Sequence, residues 1–124
     1  MDIVSVLNDS VYAMGQAESL NVVDQVTLSA LRWEAYRCLQ DILDAMAMIV
    51  ADMGLRKPST YAGLAETMFE GMVIDAAKAE IAKEIVAARN TLAHAYRKLS
   101  KKDLEGIIKG VLPSAKILVE TLLK

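Results

Sequence analysis

The sequence predicts an all-α chain, and three observations carry that expectation. Apolar residues make up 54% of the 124 positions while aromatics supply only 5%, so the apolar content is mostly Ala, Leu, Ile, Val and Met, a set better suited to helices than to sheets. Apolar side chains recur at spacings of three and four, the period of one helical face. The length suits one domain with a genuine core, 1–124, and is too short for two ordinary ones. A bundle of four to six helices follows. The apolar fraction also exceeds the usual globular range, so part of it is expected to lie against another subunit.

The elements follow in order. Ile3, Leu7, Val11 and Met14 mark a first helix over 3–14. The pattern stops at 21–24, where Asp24 can cap a long second helix by accepting the unpaired N–H groups of its first turn. That helix carries Leu28, Leu31, Ala35, Leu39, Ile42, Met46, Ile49 and Met53, widened by Tyr36, Leu43 and Val50. Its other side, with Glu34, Asp41, Asp44 and Asp52, reads as a solvated face, and Gly54 as its stop. Pro58 breaks the next segment. Ser59 or Thr60 can cap a short third helix to about Met68, with Gly71 as its terminator. Asp75 caps a fourth helix over 76–98. Ser100 caps a fifth, which Pro113 is expected to kink or split.

Charge and cysteine content narrow the function classes. A formal net charge of −2 argues against binding nucleic acid through bulk electrostatics, so any RNA contact must be local. The single cysteine, Cys38, cannot form an intrachain disulfide and reads as a small core filler among apolar neighbours. The opening Met1-Asp2 lacks the basic start of a signal peptide, which suggests a cytoplasmic protein. The most apolar run, 45–51, is far below the roughly 20 residues needed to cross a bilayer. Trp33 and the methionines of the second helix read as core or subunit surface. One histidine and one cysteine at distant positions give no metal-ligand spacing, and neither a glycine-rich phosphate loop nor a His-Glu-x-x-His string is present.

The chemistry concentrates in Arg89-Asn90-Thr91-Leu92-Ala93-His94-Ala95-Tyr96, which holds the chain's only histidine. On a helical wheel of about 100° per residue, Ile81, Ile85, Ala88 and Leu92 form the core stripe. Asn90 and His94 then stack on the side away from it. Arg89 and His94 fall about 140° apart, so one copy poorly surrounds a single substrate atom. Two copies related by a twofold axis can do so, which predicts a homodimer with a composite cleft. The set suits phosphodiester transfer: a histidine takes or gives a proton near neutral pH, and an arginine holds phosphate with a planar pair of donors. RNA supplies the nucleophile in its own 2′-hydroxyl.

The same string matches the Arg-x4-His-x-Tyr signature of the HEPN superfamily and looks like its HepT branch. The resemblance extends over Lys57-Pro58-Ser59-Thr60-Tyr61, the short helix before Gly71 and the run 81–123, and so covers most of the chain. It implies a HEPN-type bundle and a homodimeric, metal-independent endoribonuclease toxin, needing no cofactor, paired with an MNT-type minimal nucleotidyltransferase as antitoxin. It further implies that Arg89 and His94 are the catalytic pair, that Asn90 supports them, and that Tyr96 is the tyrosine the antitoxin adenylylates. The sequence departs from the commonest form in having Ala88 before Arg89 and the small Ala93 and Ala95 beside His94, changes that widen a cleft without removing a catalytic group. Arg97, Lys98, Lys101 and Lys102 can contact an RNA backbone, with tRNA and mRNA both open as targets; the alternative is ordinary cations at a helix C-terminus. A non-catalytic HEPN subunit that binds a nucleotide or docks a nucleotidyltransferase is the rival reading.

Overall fold

The structure is a computed structural model that describes residues 2–19, 25–94 and 98–123. Within them the chain forms five helices and no strand: α1 (Ile3–Ser19), α2 (Gln25–Asp52), α3 (Ala62–Glu70), α4 (Ala76–His94) and α5 (Lys101–Leu123). One apolar core cluster draws on all five. α1 packs on α2 and α5, while α4 is set against α2, α3 and α5. That placement puts α4 at the junction of the bundle, with one flank close to α2 and α3.

Helix starts are set by side-chain oxygens accepting backbone N–H groups. Asp2 accepts from Ser5 N at 2.7 Å and Asp75 from Lys78 N at 2.8 Å, opening α1 and α4. Before α5 the exchange is reciprocal, Ser100 Oγ accepting from Asp103 N and Asp103 from Ser100 N, both at 3.1 Å. This is a capping box, and the Ser100 backbone bond holds the Asp103 carboxyl below its ordinary pKa. The Asp24 cap lies outside the described residues. Neither Ser59 nor Thr60 caps α3: the N-cap position is Tyr61, already in helical geometry, without a side-chain bond.

Helix ends show why α2 and α3 stop. Gly54 adopts φ 65°, with Gly54 N bonded to Ala51 O and Leu55 N to Val50 O, the paired bonds of a Schellman motif. After α3 the same two bonds recur one residue beyond the expected glycine, from Met72 N to Phe69 O and Val73 N to Met68 O. The left-handed residue is therefore Met72, at φ 61°. Gly71 serves a different need, because a Cβ there would sit 2.7 Å from Leu55 Cδ1. A side chain at position 71 would make the Leu55 methyls shift, and Met72 takes the left-handed conformation.

Burial corrects several sequence expectations. α1 runs past Met14 to Ser19 and buries Val6, Leu7, Ser10, Ala13, Met14 and Ala17, leaving Val11 exposed. Ser10 is tolerated inside because its hydroxyl donates to Leu7 O at 2.6 Å. Cys38 is fully buried in the core cluster, as expected of a small filler, whereas Trp33 is 55% exposed and does not belong to the core. α5 continues through Pro113 as one helix and is not split. α4 is helical from Ala76 to His94, and its expected continuation over 95–97 lies outside the described residues. On α2, Asp52 is exposed, but Glu34, Asp41 and Asp44 are half-buried, so that side is not simply a solvated face. No helix among the described residues is long and apolar enough to cross a membrane.

Candidate functional site

The rotation of α4 decides where its polar side chains go. With Asp75 fixing its start, the helix sends Ala79, Ala82, Ile85, Val86, Ala88 and Leu92 into the core, Ile85 and Leu92 without any exposure. Ile81, placed in the stripe from the wheel, is only half-buried. The buried stripe leaves Arg89 and Asn90 half-buried on its flank and His94 exposed at the last residue of the helix.

Arg89 is gripped from three elements. Its Nε donates to Gln40 Oε1 at 2.8 Å and its Nη1 to Asn90 Oδ1 at 3.0 Å. The guanidinium carbon lies 5.2 Å from the centre of the Tyr61 ring and 5.8 Å from that of Tyr36, within range of the cation–π attraction to a ring face. Behind Gln40, its Nε2 donates to Asp44 Oδ1 and to the Tyr61 hydroxyl, both at 2.9 Å, and that hydroxyl donates to Asp44 Oδ1 at 3.1 Å. Trp33 extends the aromatic row, its ring 6.3 Å from Tyr36. No hydrogen bond to another described residue uses Nη2, so that nitrogen's donors have no partner among the described residues.

Negative charge gathers beside this network. Asp41 has its pKa raised above the ordinary 3.8, chiefly because burial disfavours the charged form; Arg37 opposes the rise, while Asp44 and Asp9 add to it. No acidic side chain forms an ion pair with Arg89 among the described residues. Its charge stays available to an outside anion. No group of three or more His, Cys, Asp or Glu side chains among those residues is placed to hold a metal ion.

The structure therefore brings some sequence-predicted residues together and leaves others apart. Arg89 and Asn90 are bonded to one another, whereas no hydrogen bond among the described residues joins His94 to either. Tyr96 and Arg97 lie outside the described residues. Lys98, Lys101 and Lys102 are exposed, with Lys101 3.9 Å from Glu105. Lys101 and Lys102 open α5, so the reading of these two as cations at the end of the fourth helix is corrected. Lys102 lines a shallow groove of about 760 Å³ between α4 and α5 with Glu84 and Thr91. The residues that sequence reasoning missed are Gln40, Asp44, Tyr36 and Tyr61. A signal existed in the four-residue steps of Tyr36, Gln40 and Asp44, which stack on one side of α2, but nothing in the sequence tied that side to Arg89.

Comparison with known proteins agrees with this architecture. The described chain resembles a cytosolic protein of unknown function from Bacillus subtilis, YutE, with a TM-score of 0.85 at 17% identity over 98% of this chain and 85% of that one. It also resembles a tri-AMPylated HEPN toxin of Shewanella oneidensis solved in complex with an MNT antitoxin, with a TM-score of 0.82 at 14% identity over 98% and 96% of the two chains. At these identities the likeness establishes the shared all-helical fold. A candidate RNase of Archaeoglobus fulgidus is 27% identical over 82 residues, 66% of this chain, and the match spans 61% of that protein's length. The model of the family described as "Ribonuclease HepT-like" matches residues 4–122. With nearly its whole length matched, the chain belongs to the HepT-like ribonuclease family.

Proposed function

We propose that the protein is a metal-independent endoribonuclease toxin, active as a homodimer and paired with an MNT-type nucleotidyltransferase antitoxin. The observation that carries this reading is the Arg89 guanidinium, fixed through Nε and Nη1 with Nη2 unpaired among the described residues, on the same helix as the exposed His94. Membership of a ribonuclease family supports it, as does a fold shared with a HEPN toxin solved in complex with an MNT antitoxin.

In the proposed reaction His94 accepts the proton of a ribose 2′-hydroxyl, and the 2′-oxygen attacks the adjacent phosphorus. The bond from phosphorus to the 5′-oxygen breaks as the new one forms, and the leaving oxygen takes up a proton. The products are a 2′,3′-cyclic phosphate and a free 5′-hydroxyl. Arg89 holds the charge that builds on the phosphoryl oxygens, through donors already oriented before substrate arrives. Because Arg89 and His94 face different directions on one helix, the second copy supplies the complement, and the cleft is composite. Lys98, Lys101 and Lys102, with Arg97, hold the RNA backbone. Adenylylation of Tyr96 by the antitoxin places a bulky negative group beside the cleft and blocks RNA by sterics and repulsion.

The test is cleavage of RNA by the purified protein in the presence of a chelator. Arg89→Ala and His94→Ala should each lower the rate by about 10²-fold or more, with cyclic phosphate ends on the wild-type products. Wild-type protein that binds ATP and leaves RNA intact would replace this reading with that of a non-catalytic docking subunit. For Tyr96, mass spectrometry after incubation with the transferase and ATP should find AMP on that residue, and Tyr96→Phe should remain unmodified.

A further inference from the structure

We infer that Gln40, oriented by Asp44 and Tyr61, is the positioning residue that aims the Arg89 guanidinium at phosphate while keeping the neighbouring carboxylate from neutralising it. This rests on the ribonuclease reading above and adds to it three residues outside the Arg-x4-His-x-Tyr string.

Donor and acceptor directions constrain the arrangement. An arginine Nε–H only donates, and an ionised carboxylate only accepts. Gln40 stands between the two, 2.8 Å from Arg89 Nε and 2.9 Å from Asp44 Oδ1. Only one orientation of its amide satisfies both, with Oε1 toward Arg89 and Nε2 toward Asp44. The Tyr61 hydroxyl accepts from the second hydrogen of Nε2 and itself donates a hydrogen bond to the same Asp44 oxygen. The amide is thus bonded to three partners, and a flip would set donor against donor at Arg89 and acceptor against acceptor at Asp44, losing both of those bonds. A chain of directed bonds runs from Asp44 through Gln40 to Arg89 Nε and from Nη1 to Asn90.

The choice of an amide matters chemically. A glutamate at this position would also accept from Nε, but it would place a second negative charge on α2 one turn from Asp44 and pair directly with the guanidinium. Glutamine accepts the same bond and leaves the cation's charge for substrate. The rings of Tyr36 and Tyr61 flank the group without supplying an acceptor that competes with phosphate. The geometry thereby separates two jobs: the amide sets direction, and Asp44 holds the amide.

The experiment compares Gln40→Leu, Gln40→Glu and Tyr61→Phe in the full chain, reading RNA cleavage kinetics and the Arg89 Nε–H signal in proton–nitrogen NMR spectra, identified by its loss in Arg89→Lys. For Gln40→Leu, exchange of that hydrogen with water should quicken at least about tenfold, and kcat should fall about ten- to a hundredfold with KM little changed. Gln40→Glu should keep the hydrogen protected and instead raise KM, because the charge is cancelled and not misdirected. Tyr61→Phe should move in the direction of Gln40→Leu to a smaller extent. If Gln40→Leu alters neither the signal nor kcat while Arg89→Ala abolishes cleavage, the positioning role is overturned and the ribonuclease reading stands. If Arg89→Ala cleaves as well as wild type, or wild type cleaves nothing, the ribonuclease reading fails. The NMR signal then still decides whether Gln40 fixes the guanidinium.

Discussion

Arg89 and His94 stand five residues apart on one helix, yet their surroundings are opposite. The arginine is half-buried, bonded to Gln40 and Asn90 and flanked by two aromatic rings. The imidazole is exposed at the helix end, with no hydrogen bond to a described residue. Groups fixed by their own chain keep their direction before substrate arrives, whereas a group left in solvent acquires its direction from substrate or from a second copy. The contrast assigns preorganisation to the arginine side of the proposed site and assembly to the histidine side.

The largest effect that can break this division is complementation. If the site is composite, mixing Arg89→Ala protomers with His94→Ala protomers should restore RNA cleavage that each lacks alone, a recovery of about tenfold or more over either parent. Absence of any recovery after verified subunit exchange would place both groups in one protomer's site. Stability gives the next contrast. Arg89→Ala removes bonds to a charged donor and strands the Gln40 acceptor, so it should cost about 1–3 kcal/mol in urea unfolding, while His94→Ala should stay within about 0.5 kcal/mol. Equal losses would mean that the imidazole is held as firmly as the guanidinium.

Smaller effects sharpen the arginine side. Tyr61→Phe removes one hydroxyl that both donates and accepts in the network, and should cost about 1 kcal/mol. Asp41→Asn should act in the other direction. The Asp41 pKa is raised in the folded protein, mainly by burial, so its ionised form disfavours folding at any pH above that raised value. The penalty fades as pH falls through it and is gone below the ordinary 3.8. Asp41→Asn should therefore be more stable than wild type near neutrality, by less than about 1 kcal/mol because solvent screens the carboxyl. The gap should narrow in thermal melts on acidification. A gap that widened on acidification would reverse the sign of this account.

Much of the fold was legible because helical period and caps are local. Asp75 and Ser100 were identified as caps from residue type and position, and both accept the expected N–H groups. Leu92 and Ile85 were assigned to the core from spacing alone and are fully buried. The errors have non-local causes. Gly71 ends α3 as expected, but the left-handed turn that follows falls on Met72, which residue type alone did not indicate. Asp44 was read as solvated because a charge on the far side of a helix faces water unless another element covers it. The start of α3 covers it, through Tyr61.

What the sequence by itself determined is the set of helices, the stripe that turns α4 and the exposure of His94, since each follows from period and residue type along a single element. Family resemblance read from the Arg-x4-His-x-Tyr string was likewise available before any coordinates. Only the tertiary structure decided that Gln40, 49 residues before Arg89 in the chain, meets its guanidinium. It also decided that Tyr61 locks that amide against Asp44. Hydrogen-bond direction between side chains depends on how helices pack, and packing joins residues that no local pattern relates.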